Sequence, residues 1–132
     1  MATSISSPDL AKAAEEHGKR YVAAFNSGDL DAINAMYADD AVSVWEPGNP
    51  LVGEARKAAL AEFIAQKPKM TATLRESHVT STTALLVVDW AIDIPTPEGG
   101  TEHVEGVGLD VLRRGTDGEW RFAIDNPFGE TR

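Results

Sequence analysis

The sequence contains no cysteine, which removes disulfides, thiolate nucleophiles and cysteine–zinc centres together. No apolar run approaches the roughly 20 residues that cross a bilayer as a helix. The opening stretch MATSISSPDL has neither the basic start nor the apolar core of a secretory signal. These absences lead us to expect a cytoplasmic protein with no membrane partner. Positive charge is scarce: 12 Lys and Arg stand against 21 Asp and Glu, for a formal net charge of −9. An acidic surface repels phosphate backbones, so nucleic acid is a poor partner. His17, His78 and His103 show no ligand spacing, and neither a His-Glu-x-x-His motif nor an Asp-rich calcium loop occurs. No metal site and no cofactor are expected. Gly106-Val107-Gly108 reads as strand interior rather than a phosphate loop, because it opens no helix.

What is present is an ordinary globular composition, 42% apolar and 25% charged over 132 residues, the size of one domain with a modest core. Residues 1–132 are read as that single domain, with 1–7 as a flexible tail. Ser7-Pro8-Asp9 is a helix start, with a capping hydroxyl, proline in the first turn and then an acid. Leu10, Ala14, His17, Tyr21, Ala24 and Phe25 follow at helical spacing on one face. Gly28 closes this helix, and Asp29 caps a short second one that buries Leu30, Ile33, Met36 and Tyr37. A strand is expected at 41–46 before the turn Pro47-Gly48-Asn49-Pro50. A third helix is expected over 54–66, with Ala58, Leu60, Phe63 and Ile64 as its inner face.

The second half alternates as strands over 70–80, 83–94, 101–114 and 119–126, with Gly115-Thr116-Asp117-Gly118 as a strong hairpin signal. Three helices followed by an antiparallel meander make an α+β plan, a cystatin-like cone in which helices cover one face of a curved sheet. The cavity of such a cone is the natural ligand site.

Two stretches carry a family resemblance. Arg20-Tyr21-Val22-Ala23-Ala24-Phe25-Asn26-Ser27-Gly28-Asp29-Leu30-Asp31, with Tyr37-Ala38-Asp39-Asp40-Ala41, resembles the opening of bacterial ketosteroid isomerases. The run from Asp110 to Arg121 through the hairpin, with Ile124-Asp125-Asn126-Pro127, also resembles that superfamily. It is the nuclear transport factor 2-like superfamily, which includes the SnoaL-like polyketide cyclases. The resemblance implies an oxyanion-binding tyrosine at Tyr21 and a protonated aspartic acid at Asp110. It also implies a general base on the first strand. An ungapped count puts Trp45 at that position, and one inserted residue puts Glu46 there, followed by Pro47. The resemblance further implies a homodimer.

Read by themselves, the residues are compatible with these roles. A carboxyl group at Asp110 in an apolar cavity resists ionisation and can donate to a developing oxyanion, as can Tyr21. Gly106 and Gly108 clear the face beside Asp110 for a ligand or a bend. Glu46 alternates with Val42 and Val44, so it shares their face, and that face is expected to be the core side. Tyr21, Asp110 and Glu46 are therefore the candidate catalytic residues. His17, Phe25, Trp90, Gly108 and Asn126 are the candidate pocket residues, with Asp125 at the rim. The expected activity is cofactor-independent proton movement next to a carbonyl of a small hydrophobic substrate. The alternative is a non-catalytic module that binds a small hydrophobic ligand or serves as a dimeric scaffold.

Overall fold

Apolar residues at spacings of three and four draw the first helix against the sheet. The computed structural model describes residues 7–129. In it α1 (Ser7–Ser27) buries Leu10, Ala14, His17 and Phe25. Ser7, expected in the tail, is helical, and the other residues of that expected tail lie outside the described residues. Gly28 follows with φ 76°, the left-handed geometry that ends a helix without a Cβ penalty. Asp29 caps α2 (Leu30–Ala35) by accepting from the Ala32 amide at 3.2 Å. Asn26 ties the end of α1 to the sheet: it accepts from the Met70 amide at 2.7 Å and donates to the Met70 carbonyl at 2.9 Å.

The first strand departs from expectation. β1 spans Tyr37–Ser43, so Tyr37 begins a strand instead of ending a helix, and Glu46 lies beyond the strand. Its buried positions are Tyr37, Ala38, Ala41 and Ser43, and over the last three residues the pattern alternates, with Val42 half-buried on the other face. Because side chains alternate with period two, that phase turns Val44 and Glu46 away from the core and Trp45 toward it. A short β2 (Leu51–Val52) pairs with β1, and α3 (Gly53–Ile64) follows, ending before Pro68. The inner row of α3 is Arg56, Leu60 and Ile64, whereas Ala58 is exposed.

The meander is β3 (Lys69–Val79), β4 (Thr83–Pro95), β5 (Thr101–Arg114) and β6 (Trp120–Asn126). The six strands form one sheet in the order β2-β1-β6-β5-β4-β3. All neighbours are antiparallel except β1 and β6, which run parallel, so the sheet is mixed. The chain leaves β1 at one side and returns beside it only at its end. The helices sit against one face of this sheet, with α1 packed on β3 and β6 and α3 on β1 and β2. This is the expected α+β cone.

Candidate functional site

Between α1, α3 and the covered face of β3–β6 lies a cavity of about 560 Å³. Most of its wall is apolar, with Val22, Leu74, Val88, Ile92 and Phe128 among the lining residues. Four residues able to hydrogen-bond through their side chains meet in one cluster on that wall: Tyr21, Trp45, Asp110 and Asp125.

Sheet register explains why two carboxyl groups meet there. Asp110 of β5 and Asp125 of β6 are direct cross-strand partners. Leu112 pairs with Phe122 and Val111 with Ile124, so Ala123 is an extra residue on β6. This bulge reverses the facing of everything after it. Without it Ile124 would face inward opposite Asp110, and Asp125 would face outward. With it Ile124 is 41% exposed and Asp125 lines the cavity.

The two carboxyls are not equivalent. The Oδ2 of Asp125 accepts from the Tyr37 hydroxyl at 2.9 Å, from the Ser43 hydroxyl at 3.4 Å and from Trp45 Nε1 at 3.4 Å. Asp110 accepts from the Asn126 amide at 3.3 Å and shares a hydrogen bond with Asp125. Burial raises the pKa of both, Asp110 to well above the ordinary carboxyl range. Donors stabilise charge, so the negative charge of the pair resides on Asp125, while Asp110 keeps its proton and donates it to its neighbour.

Tyr37 stands behind this pair and extends it. Its hydroxyl lies 2.8 Å from that of Tyr21, and both phenols are held above their ordinary pKa by burial and by the Asp125 charge. A phenol carries one proton. Tyr37 gives its proton to Asp125, so Tyr21 donates to Tyr37. A chain thus runs Tyr21–Tyr37–Asp125–Asp110, with each proton directed at the carboxylate.

The expected site residues divide as follows. Tyr21, Asp110, Phe25 and Trp90 all line the cavity. Glu46 does not: it is exposed at the turn where the Asn49 amide bonds its carbonyl at 3.0 Å. Trp45 points inward instead, packed on Phe63 with ring centres 6.0 Å apart. His17 is fully buried but sits behind the wall, with Nε2 3.3 Å from the Met36 carbonyl and its ring edge-on to Phe122. Its Nδ1 has no partner among the described residues, and burial lowers its pKa to about 4, so it is neutral at pH 7. Gly108 does not open space for a ligand. It is not part of the cavity wall, and a Cβ there would make ordinary contact with Pro127 Cα at 3.5 Å, the Asn126 carbonyl oxygen at 3.6 Å and Trp90 Cδ1 at 3.6 Å, so its open side is met by the end of β6 and Trp90. Trp90 Nε1 donates to the Pro127 carbonyl at 2.6 Å, which pins the end of β6 across it. Asn126 contributes its backbone amide to Asp110 and is not part of the cavity wall.

Sequence reasoning missed Tyr37 as a site residue, and it underrated Asp125. A tyrosine at the start of a buried strand gives no sign of its hydroxyl's partner. The bulge that turns Asp125 inward breaks the alternation from which its facing would be read.

The family model described as a SnoaL-like domain matches residues 19–123. Among solved structures, a ketosteroid isomerase-like protein from Erwinia carotovora atroseptica is 24% identical. It superposes with a TM-score of 0.71 over 89% of this chain and 93% of its own. A candidate dehydratase of the nuclear transport factor 2-like family from Streptomyces avermitilis is 18% identical, with a TM-score of 0.76 over 91% and 95%. A nuclear transport factor 2-like superfamily protein from Salmonella enterica is 16% identical, with a TM-score of 0.75 over 96% of both chains. With most of its length matched, the chain belongs to the SnoaL-like domain family, in the SnoaL and ketosteroid isomerase branch of the nuclear transport factor 2-like superfamily.

Proposed function

We propose that this protein is a cofactor-independent enzyme, isomerase- or cyclase-like, that moves a proton next to a carbonyl of a small hydrophobic substrate. The observation that carries this reading is the unequal carboxyl pair in an otherwise apolar cavity. A charged and a neutral carboxyl side by side supply a general base and a general acid at one pH. Asp125 takes the proton from carbon. Asp110 turns its O–H from Asp125 to the carbonyl oxygen and stabilises the enolate that forms. The apolar wall excludes water and holds the substrate body.

The tyrosine chain responds to that transfer. Once Asp125 carries the substrate proton, it donates to Tyr37 rather than accepting from it. Tyr37 then donates to Tyr21, and the Tyr21 hydroxyl is released toward the cavity. In this reading Tyr21 serves the enolate only after the base has acted. The role expected for Glu46 passes to Asp125.

A second reading is dehydration, in which Asp110 protonates a departing hydroxyl while Asp125 removes the neighbouring proton. It is favoured by the placement of acid and base on one wall, and by the likeness to a protein named as a candidate dehydratase.

The test combines a ligand and a substrate screen. Polycyclic phenols mimic an enolate and are titrated against the protein by fluorescence or calorimetry. Unsaturated ketones and β-hydroxy ketones are then assayed for isomerised, cyclised or dehydrated product. Binding is expected to weaken at least tenfold in Asp110→Asn. Turnover is expected to fall by about 10²- to 10⁴-fold in Asp125→Asn. Tight phenol binding with no turnover of any substrate would favour the binding-module alternative. Wild-type turnover in folded Asp125→Asn sinks the acid–base assignment.

A further inference from the structure

The inner row of α3 contains an anomaly. Arg56 occupies the position where the rhythm of Leu60 and Ile64 calls for an apolar side chain, and it is only 3% exposed. A buried guanidinium normally faces a carboxylate, because an isolated buried charge is costly. Among the described residues Arg56 forms no salt bridge. Its contacts are a long hydrogen bond from Nη1 to Asn34 Oδ1, 3.4 Å, and the face of the Tyr37 ring, whose centre lies 4.2 Å from Cζ. One of its five donors is thus used, at the limit of a hydrogen bond.

What lies on the other side of that ring gives the charge a purpose. Tyr37 donates to Asp125, the charged member of the carboxyl pair. A cation on the face of a phenol is attracted by the ring's negative face and draws electron density from it. The hydroxyl becomes a stronger donor, and the carboxylate that accepts from it is stabilised. We propose that Arg56 is a positioning residue that acts through the Tyr37 ring to keep the negative charge of the site on Asp125. Arg56 does not line the cavity and touches no substrate. It sets which carboxyl is the base.

The charged and titratable groups around Asp125 are few. Tyr37 faces it from β1 and Asp110 from β5, with Tyr21 of α1 one hydrogen bond further along. Ser43 and Trp45 add neutral donors. His17 of α1, behind Phe122, is neutral above about pH 4. Arg56 is the cation packed against this chain, and it also opposes the raised pKa of Tyr21. Its removal therefore has a defined direction: the carboxyl pair becomes harder to ionise.

The inference rests on the acid–base reading of the pair, but its test does not use turnover, so the two can fail separately. The carboxyl carbons of Asp110 and Asp125 are followed by ¹³C NMR as pH is varied, in wild type, Arg56→Gln and Arg56→Lys. Arg56→Gln is expected to raise the first ionisation of the pair by roughly half to one pH unit. Arg56→Lys is expected to shift it the same way by less, since a hydrated ammonium does not lie flat on a ring. In a Tyr37→Phe background the Arg56→Gln shift is expected to shrink to near zero. A wild-type midpoint in folded Arg56→Gln overturns the proposal, and so does a full shift that persists without the Tyr37 hydroxyl. If Arg56→Gln does not fold, Arg56→Lys decides: an unchanged midpoint overturns the proposal, and an upward shift supports it.

Discussion

His17 illustrates how burial alone assigns a residue's chemistry. The ring is fully buried beneath α1, and its pKa is lowered to about 4, chiefly by desolvation of the charged form. The unfolded chain therefore binds a proton near pH 6.5 that the folded chain refuses until about pH 4. Stability from this group is complete above the unfolded value and is lost progressively as pH falls between those two values. The difference corresponds to about 3 kcal/mol at the acid end. Raised carboxyl pKa values at Asp110 and Asp125 act oppositely, so the effect is read as a difference between variants. His17→Gln keeps an N–H for the Met36 carbonyl but cannot be protonated. Urea unfolding at pH 7 and at pH 4.5 is expected to show wild type losing stability relative to the variant as pH falls. A constant difference between the two proteins would contradict this account of His17.

At the scale of elements, the Ala123 bulge does more for the site than any single polar residue. It converts an inward Ile124 into an outward one and brings Asp125 opposite Asp110. Deleting Ala123 removes the extra residue: Ile124 then follows Phe122 directly, still outward opposite Val111, and Asp125 stays inward opposite Asp110. The deletion is expected to fold and to keep the shared titration of the pair, because the ladder partners on both sides of the bulge are unchanged. A retained coupled titration by NMR would confirm this; two independent ordinary carboxyl titrations would contradict it.

The same bulge marks the limit of what the sequence discloses. The periodicity of α1, the Asp29 cap, Gly28, the strands of the meander and the 115–118 turn are local signals, and each stands where expected. Tyr21 and Asp110 were legible because a family motif agrees with helical spacing at the first and with strand alternation at the second. Asp125 was not, because one extra residue inverts its facing and no local signal announces it. β1 failed for a related reason. Its larger apolar residues, Val42 and Val44, suggested the inner face, but the space beside α3 takes the smaller Ala41 and Ser43, which carried Glu46 outward. Arg56 was hidden because its place in the inner row of α3 depends on what Tyr37 does across the core.

At the scale of the molecule, one face of the sheet carries no helix among the described residues. Register aligns Val52, Val42, Ile124, Val111 and Leu85 in a row across five strands of that face. Val52 is 54%, Ile124 41% and Leu85 37% exposed, although the protein is otherwise rich in surface acids. An apolar row of this length on a charged chain suits a second copy better than an acidic or basic partner, because two like-charged protomers can meet only where charge is absent. We therefore propose a two-fold homodimer through this face. Ile124 and Val111 are neighbours of Asp125 and Asp110 along the same strands, so the contact would also stiffen the hairpin that carries the carboxyl pair. Analytical ultracentrifugation is expected to give twice the chain mass for wild type. The double variant Leu85→Lys/Ile124→Lys is expected to give the single chain mass with the helical and strand signals of circular dichroism retained. Because the hairpin loses its support, phenol binding by the monomeric variant is expected to weaken severalfold even though neither substitution touches the cavity. A monomeric wild type removes the dimer, and undiminished phenol affinity in the monomeric variant breaks the link between assembly and site.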